Sequence, residues 1–256
     1  MEIHPTAIIH KEANLADDVE VGPFSIINEG AVIGTGTQIN SHVLIDTRTI
    51  IGENCKIHHG AVLGTLPQDL KFEGEKTHLT IGDETVIREY ATLNRGTSYR
   101  KKTVVGKNCF IMAYAHIAHD CLLGDHVILA NSVNLAGHIE IGDYAIIGGV
   151  VPVHQFVKIG AHSIVGGGFR VQKDVCPYAL VAGYPLKTVG LNRIGLQRRG
   201  FPEKTIQILE RTFRILFKSK LNTSQAIEKI KTEVELIPEV QTILDFIEKS
   251  ERGIIK

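Results

Sequence analysis

Tryptophan is absent from this 256-residue chain, while histidine occurs twelve times, and the placement of those histidines is informative. No apolar run approaches the ~20 residues that a helical membrane span needs, which excludes that class. The opening MEIHPTAIIHKEAN has neither the basic start nor the apolar stretch of an export signal, so the expected compartment is the cytoplasm. Four cysteines without paired spacing exclude a disulfide framework and a zinc ribbon. An excess of either charge is also missing: 28 Lys and Arg balance 28 Asp and Glu. The balance hides one basic segment. Residues 187–220 hold nine Lys/Arg against Glu203 and Glu210.

What the chain does have is a clock. Counting in sixes from Ile3 to Val171, 26 of 29 positions are Ile, Leu or Val; only Asp69, Glu75 and Tyr99 are not. The misfits fall in two insertions whose lengths keep the count in phase. The fifth position of each hexad is mostly small or β-branched, as in Ala7, Ala13, Val19 and Ser25. First and fifth positions are two apart across the hexad boundary, so they share the inner side of a strand. The second position is often glycine, as in Gly22, Gly34 and Gly52, which predicts the positive φ of a tight turn there. Hexad periodicity is the signature of a parallel β-helix in which three hexads close one triangular coil. Cys55, Cys109 and Cys121 then occupy inward fifth positions, as small buried hydrophobes and not ligands.

The clock stops at Pro177. After GYPLKT the pattern becomes helical, with Pro202 at a helix start, a second helix opening at Thr223 and a third at Pro238 that runs toward Gly253. The expected organisation is a mainly β fold: a parallel β-helix over residues 1–186 and a small C-terminal α-helical domain over 187–256.

Residues 18 apart stack in adjacent coils. His119, in the third position of its hexad, faces outward with Gly137 and Gln155 above it. His138 and His154 lie beside that column, so three histidines gather on one outer edge. A second column, Ala113, Asn131, Gly149 and Gly167, is made of small residues and predicts a shallow groove suited to a hydrocarbon chain.

The stretches GTLPQDLKFEGE (64–75), AHIAHDC (115–121), LAGHIEIGDYAIIGG (135–149), VHQF (153–156), GLNRIGLQRRGF (190–201) and SERGIIK at the end resemble UDP-N-acetylglucosamine O-acyltransferases. The resemblance covers the helical tail as well as the hexads. It implies a left-handed coil, a homotrimer and the first step of lipid A biosynthesis. In that step an R-3-hydroxyacyl group passes from acyl carrier protein to the 3-position of the UDP-sugar, without metal or other cofactor. It implies His119 as general base, and the backbone N–H of Gly137 as the donor to the developing oxyanion. It further implies substrate contacts from Asp69, Lys71, His116, Asp120, His138 and Gln155, and nucleotide-side contacts from Asn192, Arg198 and Arg199. The acyl groove is expected along Gly149, His154 and Gly167, with Gly167 limiting chain length. From His119 to Gly167 the spacing corresponds to about 13 Å along the coil axis, which favours a chain of more than ten carbons. The basic segment is expected to receive the acidic carrier protein; no nucleic acid partner is expected.

Two departures bear on selectivity. Where relatives often carry IHRGT this chain reads LNRGT, with Asn94, which raises a 3-amino sugar as an alternative acceptor. Phe169 and Arg170 stand where smaller residues are expected beside the groove. Three other readings compete. The N-acyltransferase of the same pathway typically carries a uridine-binding domain before its hexads. A zinc-dependent lyase of the trimeric carbonic anhydrase type would use His119 and His154 as ligands, and a non-catalytic scaffold would use the coil as a binding surface.

Overall fold

The structure is a computed structural model describing residues 2–256. Inward first positions such as Ile27, Ile45, Leu63, Leu93, Ile117 and Leu135 are at most 1% exposed, as are fifth-position residues such as Val19, Ser25, Ala31 and Ala115. Each fully buried aliphatic side chain contributes roughly 2 kcal/mol of transfer free energy, so every coil adds its own share of core. Strands are mostly two residues long and stack in parallel. They form a first face of eleven strands and second and third faces of eight each. Register follows the eighteen-residue rule at Ile8–Ile26 and His116–Asn134. The insertions show as longer offsets, Val62 opposite Thr92 and Thr92 opposite His116.

Three corners join the faces, and the phase of the hexads tells them apart. The first corner links face one to face two, the second links face two to face three, and the third returns to face one. Both insertions leave the prism at the second corner, between Leu63 and Leu79 and between Leu93 and Thr103. His119 occupies that same corner one coil later.

The turns differ from expectation. Positive φ falls on the fourth position of the hexad, at residues such as Phe24, His42, Tyr90, Asp120 and His138, not on the second. Gly64 is the exception among the second-position glycines named so far. Those glycines are needed for another reason. At the third corner a Cβ on Gly34 would lie 2.7 Å from the backbone of Gly52, and one on Gly106 would lie 2.3 Å from the Gly124 carbonyl. The coils touch there through their backbones.

Past the coil, Ala179–Ala182 joins face one in parallel and Lys187–Leu191 then pairs with it antiparallel. Helix α1 (Arg193–Arg198) follows at once, a short element that hexad counting does not signal. Helix α2 (Glu203–Phe213) starts after Pro202 and continues as a wider π-helical turn over Arg214–Lys218. Helix α3 (Thr223–Glu233) opens with a capping box between Asn222 and Gln225. Helix α4 (Pro238–Glu248) ends five residues before Gly253, because the chain turns back to the coil. Asp174 fastens that return. It is 1% exposed and accepts from the Lys158 N–H and the Ser250 hydroxyl, while its backbone pairs with Gly253 and Ile255.

Candidate active site

His119 lies on the second corner with its ring 9% exposed as a residue and its Nδ1 2.8 Å from Asp120 Oδ2. Asp120 is fully buried, and its oxygens accept from the Thr97 N–H, the Thr97 hydroxyl at 2.6 Å and the Arg100 N–H. Burial alone would raise this carboxyl; the hydrogen bonds from His119, Thr97 and Arg100 outweigh it and hold the group below the usual carboxylate range. An ionised carboxylate only accepts, so His119 Nδ1 carries a proton, and in the neutral ring the lone pair is then on Nε2. That is the tautomer of a base. Asp120 therefore orients the imidazole from behind. Asp120, expected as a substrate contact, has no exposed surface in this chain, and the partners of its carboxylate are His119, Thr97 and Arg100.

Gly137 stacks one coil above, and a Cβ there would come within 2.6 Å of His119 Cε1 and 2.8 Å of Nε2. The glycine thus keeps open the space in front of the reactive edge. Its carbonyl accepts from Phe156, while its N–H has no acceptor among the described residues. His138 stands edge-on to His119 with ring centres 4.9 Å apart, stacks on Phe156 at 4.3 Å and meets Tyr99 edge-on. Its Nδ1 is buried without a hydrogen-bond partner, 3.8 Å from Asp120 Oδ2. Burial favours its neutral form and lowers its basicity, with Asp120 and Asp69 acting in the opposite direction. Asp69 is thereby placed within electrostatic reach of the site, on the first insertion, and its side chain accepts from the Lys71 N–H. His116 projects from face two, bonded to Thr92 at 2.8 Å, and burial lowers its basicity too.

His119, Asp120 and His138 bring three atoms of metal-ligand type within 4.8 Å of one another. The oxygens of Asp120 are already filled by four protein donors, which is the pattern of an orienting carboxylate. His154, the other histidine of the lyase reading, bonds through Nδ1 to the Gln155 carbonyl.

The remaining expected residues are scattered over one subunit. Gln155 is exposed on the His119 column. The column Ala113, Asn131, Gly149 and Gly167 does form, with backbone bonds linking its coils, but it runs along the first corner. The axial measure of about 13 Å is therefore not the separation from His119 within a chain, and His154 is not on the glycine column. Above that column the Phe169 ring packs on Gly166, and Arg170 lines a cleft with Lys173 and Tyr184. Asn192, Arg198 and Arg199 sit by the third corner. Asn192 is 4% exposed, caps α1 through Gly195 and donates to the His162 carbonyl. Its visible work is to fix the helix that carries the two arginines. Arg199 donates to the Tyr144 carbonyl and lies over the Tyr144 ring, while Arg198 is exposed. Asn94 is buried and donates to Thr65 and the Leu66 carbonyl, at the root of the first insertion.

Sequence reasoning missed Thr97, Tyr99 and Arg100. Their signal was present, since Tyr99 is one of the three breaks in the clock.

Comparison with known proteins agrees with this geometry. Residues 174–255 match the family model described as "Udp N-acetylglucosamine O-acyltransferase; Domain 2", and residues 102–137 match the bacterial transferase hexapeptide model of six repeats. An acyl-[acyl-carrier-protein]–UDP-N-acetylglucosamine O-acyltransferase of Trichlorobacter lovleyi is 53% identical, with all of both chains covered. One from Thermodesulfovibrio yellowstonii is 46% identical over 100% of this chain and 99% of its own. The crystal structure of LpxA from Bacteroides fragilis, a UDP-N-acetylglucosamine acyltransferase, superposes with a TM-score of 0.98 at 44% identity, covering 99% of this chain and 100% of that one. Full-length identity of this order, on the same three-faced coil and helical tail, places the chain in the UDP-N-acetylglucosamine O-acyltransferase family.

Proposed function

We propose that this chain transfers an R-3-hydroxyacyl group from acyl carrier protein to the 3-hydroxyl of UDP-N-acetylglucosamine, the first step of lipid A biosynthesis. One observation carries the reading: an imidazole whose Nδ1 is held by a buried carboxylate, with its other edge against Gly137, whose N–H has no acceptor among the described residues. His119 Nε2 takes the proton of the sugar hydroxyl as that oxygen attacks the thioester carbonyl carbon. The carbonyl electrons move onto oxygen, toward the Gly137 N–H. Collapse of the intermediate breaks the carbon–sulfur bond, and the imidazolium returns its proton to the departing thiolate. The acyl–oxygen ester and the free carrier thiol are the products. Asn94 is buried at the loop root, where its Nδ2 donates to Thr65 and the Leu66 carbonyl while its Oδ1 has no partner among the described residues, so both acceptor sugars enter the test.

The assembly is a homotrimer. The base, the small-residue column and the arginine pair occupy three different corners of one chain, and neighbouring copies would bring such corners together. Exposed apolar side chains on the outer surface, among them Ile8, Tyr114 and Val150, support an interface. The carrier protein docks on the basic segment. Arg193, Lys204 and Arg211 are paired with Glu203 and Glu210, Glu235, and Glu233, leaving Arg198, Arg214, Lys218 and Lys220 exposed without a carboxylate partner. Among the described residues no helix is long and apolar enough to cross a membrane.

The test is mass spectrometry of products from both acceptor sugars and a ladder of hydroxyacyl carrier proteins. Wild type should yield the 3-O-acyl sugar, and a folded His119→Ala protein should lose roughly 10²- to 10⁴-fold of that rate. Transfer that survives His119→Ala would remove the base from the mechanism.

A further inference from the structure

The second insertion is the one break in the hexads with no role in the expectations from sequence. It lies between Asn94 and Lys102, at the corner of His119 and one coil below it. Its backbone turns inward, so that the Thr97 and Arg100 N–H groups and the Thr97 hydroxyl converge on Asp120. The Thr97 hydroxyl at 2.6 Å is the shortest of these bonds and goes to Oδ2, the same oxygen that holds His119 Nδ1. A fifth bond fixes the aspartate's own backbone, from its N–H to the Thr103 hydroxyl at 2.9 Å. Arg100 is anchored in turn by Glu140, two coils along the third face from the insertion, and Tyr99 covers His138.

We propose that Thr97 is a positioning residue for the acyl transfer: its hydroxyl fixes Asp120 Oδ2 in the orientation that keeps the His119 proton on Nδ1 and the lone pair on Nε2. The physical reason is directional. A buried carboxylate can turn about its last bond, and a second donor to Oδ2 stops that oxygen from leaving the imidazole. Thr97 touches neither substrate nor the reacting atoms and acts only through Asp120. This inference rests on the reading of His119 as the base.

The test is a steady-state comparison of Thr97→Val, Thr97→Ser, Asp120→Asn and the Thr97→Val/Asp120→Asn double variant of the full-length protein, each checked by thermal melting. Losing one short hydrogen bond to a charged group predicts a 10- to 100-fold fall in kcat for Thr97→Val, with KM for the acceptor sugar changed less than about threefold. Thr97→Ser keeps the oxygen and should stay within about threefold of wild type. In the Asp120→Asn background the valine substitution should cost nothing further, because the residue it acts through has been altered already. If Thr97→Val does not fold, Thr97→Ala removes the hydroxyl without bulk and carries the same expectations. Equal losses for the valine (or alanine) and serine variants would overturn the proposal. So would a loss confined to KM, wild-type kcat in the valine variant, or losses that multiply in the double variant. Activity in folded His119→Ala would instead strike the base reading itself, so the two failures are distinct.

Discussion

The second and third corners of the prism are built by the same chain in the same rhythm, and they hold opposite contents. At the third corner the second position of successive coils reads Ala16, Gly34, Gly52, Gly82, Gly106, Gly124, Gly142 and Gly160. From Gly34 onward the backbones lie so close that a single added carbon would collide. The next position's N–H is met by an aspartate of the coil above: Glu53 by Asp83, Lys107 by Asp125, Asp125 by Asp143. The second corner replaces both features. Its second positions include Asp46, Asn94, Ala118 and His154, insertions leave it twice, and the N–H of Gly137 meets no acceptor. One corner uses its polar groups to close the coil; among the described residues the other leaves the Gly137 N–H without an acceptor. The difference arises from a few side chains on a common backbone.

Substitutions of single glycines separate the two corners most sharply. Gly34→Ala places a carbon 2.7 Å from Gly52, and overpacking of that kind should cost about 3 kcal/mol, read as a large fall in Tm with activity per folded molecule retained. Gly137→Ala should do the reverse. The added methyl meets the His119 ring, and kcat should fall roughly 10²- to 10³-fold, the scale of a lost oxyanion donor, with Tm changed little. If Gly137→Ala melts the protein and leaves turnover intact, the assignment of roles to the corners is wrong.

A smaller effect tests the aspartate ladder. Asp83 Oδ1 accepts from the Glu53 N–H and Oδ2 pairs with Lys107 at 2.8 Å. The Lys107 bond, then the Glu53 bond, lowers its carboxyl below the ordinary value. A carboxyl lowered by folding stabilises the native state above its unfolded pKa of about 3.9, and the benefit fades as pH falls through the folded value. Asp83→Asn should therefore melt slightly below wild type at pH 7, with the gap closing below about pH 4. Because Asp83 lies at the surface, salt should narrow the gap as well. Melting curves across pH check both statements.

Most of the fold was legible because the period of six is imposed by packing: an inward Ile or Val is required at each face, whatever the corner does. Register followed from counting in the uninterrupted coils; at the insertions the partners moved, Val62 to Thr92 and Thr92 to His116. The reason for the glycines was not legible. A turn glycine and a close-approach glycine look the same in one dimension, and the fourth-position residues that take positive φ, such as Phe24, Tyr90 and His138, carry no glycine signal. In the site, His119 and Gly137 were readable as one column because they are 18 apart. Asp120 was expected as a contact; its positive-φ turn sends the side chain inward, where it meets His119 and the second insertion. Its donors on Thr97 and Arg100 come from an insertion, where counting has no power. The Gly149–Gly167 column was found as a second column, and it lies at a different corner of the chain from His119.

The tail fastened by Asp174 has a consequence beyond the site. A stack of parallel strands ends in a bare rim of amides and carbonyls, ready to accept the rim of another molecule. Here the uppermost strand of face one is met by Lys187–Leu191 running the opposite way, and the chain then leaves as helices. A reversed strand cannot continue a parallel stack in register. The molecule thus carries its own stopper at the upper end, and growth into a fibre is blocked there.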